Sequence, residues 1–495
     1  MPYINFSCKI KLSFIAIFIS FYLRAEPFLS PHDPFLRHEI RLLQDEGSLN
    51  STINNWPLNL GGLRSEKNQH SWNHDLLGNT IQKENRSGLA PFQSSIGISD
   101  DRVTSRSFGN QPRGGFTTGF ETSWMNDRFA AKLSLLALYG VENDWKGRKD
   151  EGLELDGSYI AARLGNWSAS LGKVDRWWGP GWDGSLILST NARPIPAISL
   201  DRRIAEPFDN KWLSWIGPWS FQSFIGQMEE ERTVPNPYLW GIRVDVKPTI
   251  LDGLELGLFR MMQLGGDGRP EGLSTWVDAF LSQDNYGANS RYQDRSKEPG
   301  NQLAGLDVRL KPWGSNFAFY GQIVGEDEDI FLPNALMFQY GVEGWHKWNH
   351  ATFRIFAEYA DLTSTWWTDA PHSRNVTYAH SIYQDGYRYN GRPIGHWADS
   401  DSQIVSIGGF LQYDSGIGWG AILRSGDLNE DGLGNNSVSN GVANDYLAIE
   451  VFNSRSYNKS NLDFQTSVGW EEIEGQSSSL SNSGLTFSAI VTKIF

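Results

Sequence analysis

The sequence predicts an all-β protein, a transmembrane antiparallel β-barrel of about 18 strands, with minor helical elements at the N-terminus and in outer loops. Apolar and polar residues alternate along most of the 495-residue chain, short connections alternate with long ones, and the last alternating segment ends on Phe495. Alternation with period two is typical of a strand that has lipid on one side and water on the other. Outer-membrane barrels also commonly end on a phenylalanine.

Residues 1–25 have the pattern of a secretory signal peptide. Two lysines precede the apolar run 12–23, and Ala25 is a small residue before the polar chain begins. An N-terminal membrane anchor is the alternative, but the run is short for a membrane span. The single cysteine, Cys8, lies within this segment. The mature chain is therefore predicted to lack disulfides and thiol catalysis.

The next segment, residues 26–91, is predicted to be periplasmic and partly helical, and residues 92–495 are predicted to form the barrel. Within residues 32–46, four apolar residues recur at helical spacing: Phe35, Leu36, Ile40 and Leu43. Gly47 suits the end of such a helix.

Alternation and connection length together place the strands. We predict them near 92–99, 114–124, 129–139, 157–165, 167–174, 219–229, 239–247, 254–263, 304–311, 316–324, 338–347, 351–360, 402–412, 417–426, 445–453, 461–471 and 484–495. Short and long connections keep alternating only if Ser185–Arg203 holds one more strand, which brings the total to the expected even number. Two prolines make that strand irregular. The same parity puts Arg176–Trp182 in an outer loop, and Leu273–Gln283 is a candidate helix in another.

Composition excludes some classes of function. The formal net charge of −14 argues against binding to nucleic acid, which requires a basic surface. Outer-membrane lipid is an expected partner, and we expect a monomer. A secreted β-sandwich or propeller is the soluble alternative, which the long strands and the aromatic residues near strand ends disfavour.

The most informative stretch is Arg176-Trp-Trp-Gly-Pro-Gly-Trp182, followed by Ser185-Leu-Ile-Leu-Ser189 and Asn191-Ala-Arg-Pro-Ile-Pro-Ala197. Its glycines and proline suit neither an ordinary helix nor a central strand. Three indole rings on such a turn either fix a loop or offer flat faces to a ligand.

These three motifs resemble the Wzi family of capsule assembly proteins. The resemblance implies an 18-stranded outer-membrane barrel whose lumen is blocked by helical elements. It also implies a lectin, not an enzyme, that binds capsular or extracellular polysaccharide and attaches it to the cell surface during capsule assembly. An outer-membrane channel for oligosaccharides is the alternative from another class, and a secreted glycosidase is a distant third.

Six residues are candidates for carbohydrate binding: Arg176, Trp177, Trp178, Trp182, Asn191 and Arg193. Indole rings stack against sugar C–H groups, arginines bind carboxylates through two hydrogen bonds, and an asparagine both donates to and accepts from hydroxyls. The alternative is that all six residues fix the loop and its return strand.

Other polar groups carry weaker hypotheses. Asp427, Asn429 and Asp431 begin a calcium-loop pattern, but Val438 stands where its final glutamate is expected, so a solvated outer loop is the alternative. Glu229–Glu231 could supply paired carboxylates for glycoside hydrolysis, although a solvated loop is the simpler interpretation. Two histidine pairs, His70 with His74 and His346 with His350, are taken as structural or exposed and not as metal ligands.

Overall fold

The computed structural model describes residues 28–63, 88–100, 104–109, 111–140, 151–281, 300–329, 332–364, 375–434, 436–439, 441–457, 460–475 and 482–495. The predicted signal peptide lies outside these residues. Within the described chain, 18 main strands form one closed antiparallel β-barrel, which confirms the predicted fold class. Two short strands, Gly88–Leu89 and Gly152–Glu154, also pair with this sheet. The described part contains no helix that is long and apolar enough to cross a membrane.

The strands of the barrel follow one another around the wall in chain order. They are β1 Gln93–Ser99, β2 Phe116–Met125, β3 Phe129–Tyr139, β4 Tyr159–Leu164, β5 Trp167–Lys173, β6 Pro196–Arg202, β7 Trp219–Gln227, β8 Tyr238–Val246, β9 Leu254–Leu264, β10 Gly300–Leu310, β11 Phe317–Asp329, β12 Leu332–Trp348, β13 Ala351–Asp361, β14 Gln403–Tyr413, β15 Ile417–Leu428, β16 Asn444–Tyr457, β17 Leu462–Gly475 and β18 Asn482–Ile494.

The irregular strand that connection parity required is β6. It pairs with β5 from Trp167↔Arg202 to Lys173↔Pro196 and with β7 from Ala197↔Gly226 to Asp201↔Gln222. The barrel then closes where β18 pairs with β1, from Ser488↔Ser99 to Ile494↔Gln93. Each strand is antiparallel to both of its neighbours, so the closed sheet requires an even number of strands. Closure also leaves the sheet without a free edge.

The two faces of the wall differ sharply in polarity. Along β15, Trp419 and Leu423 point outward and are 49% and 44% exposed, whereas the next residue, Arg424, is buried in the lumen. Buried arginines and carboxylates also occupy inward positions on β8 to β13, where they form ion pairs. An apolar outer band around a polar interior is the pattern of a membrane barrel.

Helix α1, Pro34–Asp45, confirms the helix predicted within residues 32–46. The Asp33 carboxylate caps it by accepting hydrogen bonds from the Phe35 and Leu36 amides at 2.9 and 3.1 Å. Pro34 occupies the first turn, where no amide donor is needed. The helix lies within the lumen, so the described residues 28–63 pack inside the wall. The division of the chain at residue 91 and its periplasmic side stay predictions.

The second helix, α2, spans Leu273–Phe280 in the connection after β9 and confirms a helical element in a long loop. The last two residues of the predicted helix, 282–283, lie outside the described residues.

Candidate functional site

Three segments meet in the lumen between the walls of the barrel. They are the N-terminal residues 28–63, the connection 174–195 between β5 and β6, and residues 375–402 before β14. Trp177–Trp178 pairs with Asn55–Trp56 as a two-residue antiparallel ladder, which joins the first two segments through their backbones. The third joins them where the Ser189 amide donates to the Ile394 carbonyl at 2.9 Å.

The three tryptophans of the predicted outer loop are buried inside the barrel. Trp177 and Trp178 are 0% exposed and Trp182 is 2% exposed. The indole N–H of Trp178 donates to Gln222 Oε1 at 2.7 Å, and that of Trp182 donates to Glu343 Oε2 at 2.8 Å. In this conformation no indole face is open to a polymer, so the geometry favours the interpretation in which these rings fix the loop.

Glycines make this close packing possible. Gly179 has φ +149°, a backbone conformation that side chains with a Cβ rarely adopt. At Gly184, a Cβ would lie 2.1 Å from Cδ2 of His396 in the third segment. The Gly-Pro-Gly turn is therefore needed for tight packing in the lumen.

Arg37 of α1 binds this turn. It was not among the candidate site residues from the sequence. Its guanidinium donates to the carbonyls of Gly179, Pro180 and Gly181 at 3.3, 3.0 and 2.7 Å. The same group lies 4.3 Å from the ring centres of both Phe108 and Trp182. The spacing of Arg37 and Arg41, one helical turn apart, is the only sequence signal for a charged helix face in this position.

The residue after the turn, Asp183, extends the network to the opposite wall. It pairs with Arg424 at 2.8 Å and accepts hydrogen bonds from Ser406 Oγ at 2.6 Å and from Trp397 Nε1 at 3.3 Å. Glu358 of β13 accepts from the backbone amides of Trp182 and Asp183. The motif thus satisfies most of its polar groups within the protein, as a buried structural segment requires.

The remaining three carbohydrate candidates are also engaged. Arg176 donates to Val174 O and Ser199 Oγ at 2.9 and 2.5 Å. Asn191 donates to Pro393 O at 3.0 Å and is 1% exposed. Arg193 forms a two-donor pair with Asp156 at 2.7 and 3.1 Å. All six candidates lie in one connection and its flanks. Their polar side-chain groups point to protein partners, except the buried indole N–H of Trp177, which has no hydrogen-bond partner among the described residues.

The calcium candidates do not converge. Asp427 is exposed on β15, whereas Asn429 is 0% exposed. The Asp431 carboxylate accepts from Asn375 Nδ2 and the Leu433 amide, both at 2.8 Å. Within the described ranges, no group of three His, Cys, Asp or Glu side chains could hold a metal ion. Calcium binding stays an untested prediction.

Most of the other polar groups behave as their simpler interpretation predicts. Glu230 and Glu231 are exposed in the loop after β7, whereas the side chain of Glu229 is 11% exposed and pairs with Arg232 at 3.4 Å. His350 is 84% exposed and contacts Asp414 at 3.1 Å. His70 and His74 lie outside the described residues.

The lumen retains some space on the side of β1–β3 and β16–β18. Cavities of about 380, 60 and 40 Å³ lie along this side, and Gln111 lines all three. They are lined mainly by polar and charged residues, including Arg106, Asp175 and Glu450. The largest of these three has the volume of a small-molecule site.

Comparison with known proteins supplies the family. A model of the capsule assembly protein Wzi family matches residues 90–480, most of the chain. This chain belongs to the Wzi capsule assembly family. A 55.8 kDa protein in the cps region of Klebsiella pneumoniae is 32% identical over 383 residues, which cover 72% of this chain and 71% of that protein.

The Wzi fold is also seen in an experimental structure. Escherichia coli Wzi, described as an outer membrane protein involved in group 1 capsule assembly and a carbohydrate-binding β-barrel, superimposes with a TM-score of 0.80. The two are 27% identical, and the match covers 95% of this chain and 100% of that one. The family and the closed barrel place this Wzi-family chain in the bacterial outer membrane.

Proposed function

We propose that this protein is a non-enzymatic, monomeric lectin-like barrel that binds capsular polysaccharide at its outer face and attaches it to the cell surface. Support comes from membership in the Wzi family and from the carbohydrate binding described for the E. coli protein. The observation that carries the proposal is the filling of the lumen by residues 28–63, 174–195 and 375–402. A polymer can bind at the rim of a barrel filled in this way, but it has no path through the lumen.

The motif Arg176–Trp182 then has a supporting role. Its rings pack among the lumen segments, and two of its indole N–H groups bind the barrel wall at Gln222 of β7 and Glu343 of β12. Direct stacking of a sugar on these tryptophans stays a prediction, and it requires the connection 174–195 to leave the lumen.

Binding and conduction by the purified full-length protein distinguish the lectin from the channel. We expect the capsular polysaccharide of the same strain to bind, planar bilayers to show no steady conductance, and no reducing sugar to be released. Steady single-channel conductance without polymer binding would instead establish the channel, and release of reducing sugar would establish the glycosidase.

A site-specific block locates the binding face. Ser381 and Gln384 are exposed on residues 375–402, and Asn210 is exposed on the connection between β6 and β7, at the opposite end. Cysteines at these positions, in a Cys8→Ser background, can each carry a polyethylene glycol chain. We expect the polymer at Ser381→Cys or Gln384→Cys to reduce polysaccharide binding and the matched modification at Asn210→Cys to leave it unchanged. Equal effects at both ends would refute binding at the outer face.

A further inference from the structure

Helix α2 does not cover the barrel mouth, because it packs on the outward face of the wall. Along β8, Leu239 and Arg243 point into the lumen and are buried, so Tyr238 and Trp240 point outward. The ring of Tyr238 lies 5.9 Å from that of Trp276. Trp240 lies 5.4 Å from Phe280 by the same measure. Both contacts join α2 to the side of β8 that faces away from the lumen.

The neighbouring strand shows the same coverage. On β9 the outward row includes Leu258, Met262 and Leu264, and Leu258 is 61% exposed. Further along the row, Met262 is 1% exposed and Leu264 is 0% exposed, and both cluster with Ala279 of α2. The helix therefore lies against the end of β9 that is farther from the short turns.

A charged residue on this outward row is hydrogen-bonded by the helix. Arg260 donates to the carbonyls of Ala279 and Phe280 at 2.8 and 2.9 Å and to Gln302 on β10. These carbonyls belong to the C-terminal turn of α2, where the helix dipole favours a cation. Because the cost of a lipid-facing charge rises with its depth in the membrane, these hydrogen bonds lower the cost of an outward arginine.

The side of α2 that faces away from the wall is apolar and is exposed within the part of the chain that the structure describes; Phe280 lies at its edge, where its ring also contacts Trp240. Leu273, Val277, Phe280 and Leu281 recur at helical spacing and are 82%, 48%, 57% and 56% exposed. In water such a stripe would be unfavourable, since it leaves four large apolar side chains hydrated. It continues the apolar outer surface of the barrel, of which Leu258 is the nearest exposed member on β9.

We propose that α2 is an interfacial helix that lies in the outer leaflet, with its stripe Leu273–Val277–Phe280–Leu281 in contact with lipid acyl chains. Its continuity with the lipid-facing wall and its hold on Arg260 identify lipid as the occupant. Amphipathic helices of this kind lie at the boundary between headgroups and acyl chains. The proposal concerns how the barrel sits in the membrane and does not depend on polysaccharide binding.

Spin labels on the full-length protein in vesicles of phosphatidylethanolamine and phosphatidylglycerol test this position. In a Cys8→Ser background, labels are placed singly through Leu273→Cys and Val277→Cys. Leu258→Cys is the lipid-facing control, and Glu230→Cys is the water-facing control. We expect the ratio of oxygen to nickel-chelate accessibility at both α2 positions to match Leu258→Cys and to exceed that of Glu230→Cys severalfold.

Two results would overturn the proposal. One is a ratio at Leu273→Cys and Val277→Cys equal to that of Glu230→Cys, which would put the stripe in water. The other is dipolar coupling between labels on different molecules that survives dilution with lipid, which would make a second copy the occupant. A label that unfolds the protein is recognised by loss of heat-resistant migration, and Phe280→Cys then replaces it.

Discussion

The two α-helices in the described chain contact the same strand, β9, from opposite sides. Inside the lumen, Arg41 of α1 pairs with the inward Glu255 at 3.1 Å. Outside, α2 covers the outward Met262 and binds Arg260. The α1 contact is a buried ion pair, whereas the stripe that α2 leaves free is apolar. Because the inside of an outer-membrane barrel is polar and its outside is lipid, the wall reverses the usual arrangement of a soluble protein.

The difference explains which substitutions each helix should tolerate. The lumen side of the wall holds α1 by specific ion pairs and hydrogen bonds, such as that of Asp45 with Arg309 at 2.7 Å. On the lipid side, substitutions near the membrane interface change the free energy of unfolding only slightly. We therefore expect large effects from changes at α1 and its supports, and small effects at the free face of α2.

The largest effect is expected from Arg41→Ala. It leaves the buried carboxylate of Glu255 without its cation, which costs about 3–5 kcal/mol in the free energy of unfolding. Denaturant unfolding of the protein in lipid vesicles measures this cost. The double variant Arg41→Ala with Glu255→Gln should recover part of it, and equal stability of the single variant and the wild type would contradict the assigned role of α1.

Trp178→Ala should come next, at about 3–4 kcal/mol, because it opens a cavity in the lumen and leaves Gln222 Oε1 without its indole donor. Trp419→Ala is the matched control, since that ring is half exposed on the outer wall. We expect the control to unfold nearer the wild-type denaturant concentration. Loss of polysaccharide binding by Trp178→Ala at unchanged stability would instead support the hypothesis that Trp178 contacts the sugar directly.

Two buried histidines of the lumen should destabilise the fold in acid. Burial lowers the pKa of His38 well below its usual value, and burial likewise lowers the pKa of His396 to about 4. Because these rings are neutral when folded, the unfolded chain binds more protons below its pKa of about 6.5. Stability is therefore lost as the pH falls from about 6.5 to 4, by about 3 kcal/mol for His396.

Variants of two histidines measure this pH dependence. His396→Gln should flatten the stability curve between pH 6.5 and 4, whereas substitution of the exposed His350 should not. A His396→Gln variant whose stability changes between pH 6.5 and 4 in the same way as the wild type would show that His396 is not buried in its neutral form.

The smallest effect is expected on the free face of α2. Val277→Glu should cost about 1 kcal/mol or less in vesicles, since charge on the lipid face is tolerated near the interface. The matched change Leu433→Glu, at a 69% exposed residue of the connection between β15 and β16, should cost nothing measurable. A cost at Val277 as large as that of Arg41→Ala would mean that the stripe packs against protein.

Much of the barrel could be predicted because apolar and polar residues alternate along each strand, and this alternation shows that one face meets lipid and the other meets the polar lumen. Even β6 was predicted within Ser185–Arg203, although its two prolines hide the pattern. Helical spacing located α1, and Leu273–Gln283 was a candidate helix where α2 lies. Periodicity does not show on which side of a wall a helix packs, because lumen and lipid differ in polarity while both helices are amphipathic.

The candidate site was harder to predict for the same reason. The alternation of short and long connections shows at which end of the barrel Arg176–Trp182 connects two strands. It does not show that this connection then folds into the lumen. Burial of Trp177 and Trp178 depends on partners far away in sequence, such as Asn55 and Gln222. The pairing of Arg37 with three carbonyls of the Gly-Pro-Gly turn joins residues more than 140 positions apart and leaves no local pattern.

The central claim is that this barrel holds polysaccharide on the cell without conducting it. Its most direct test is the amount of capsular polysaccharide retained on cells and released into the medium, in a strain lacking the gene and in the same strain complemented with it. We predict that the deletion strain exports polysaccharide but releases most of it, and that complementation restores retention. Unchanged retention in the deletion strain, or loss of export itself, would contradict the proposed function.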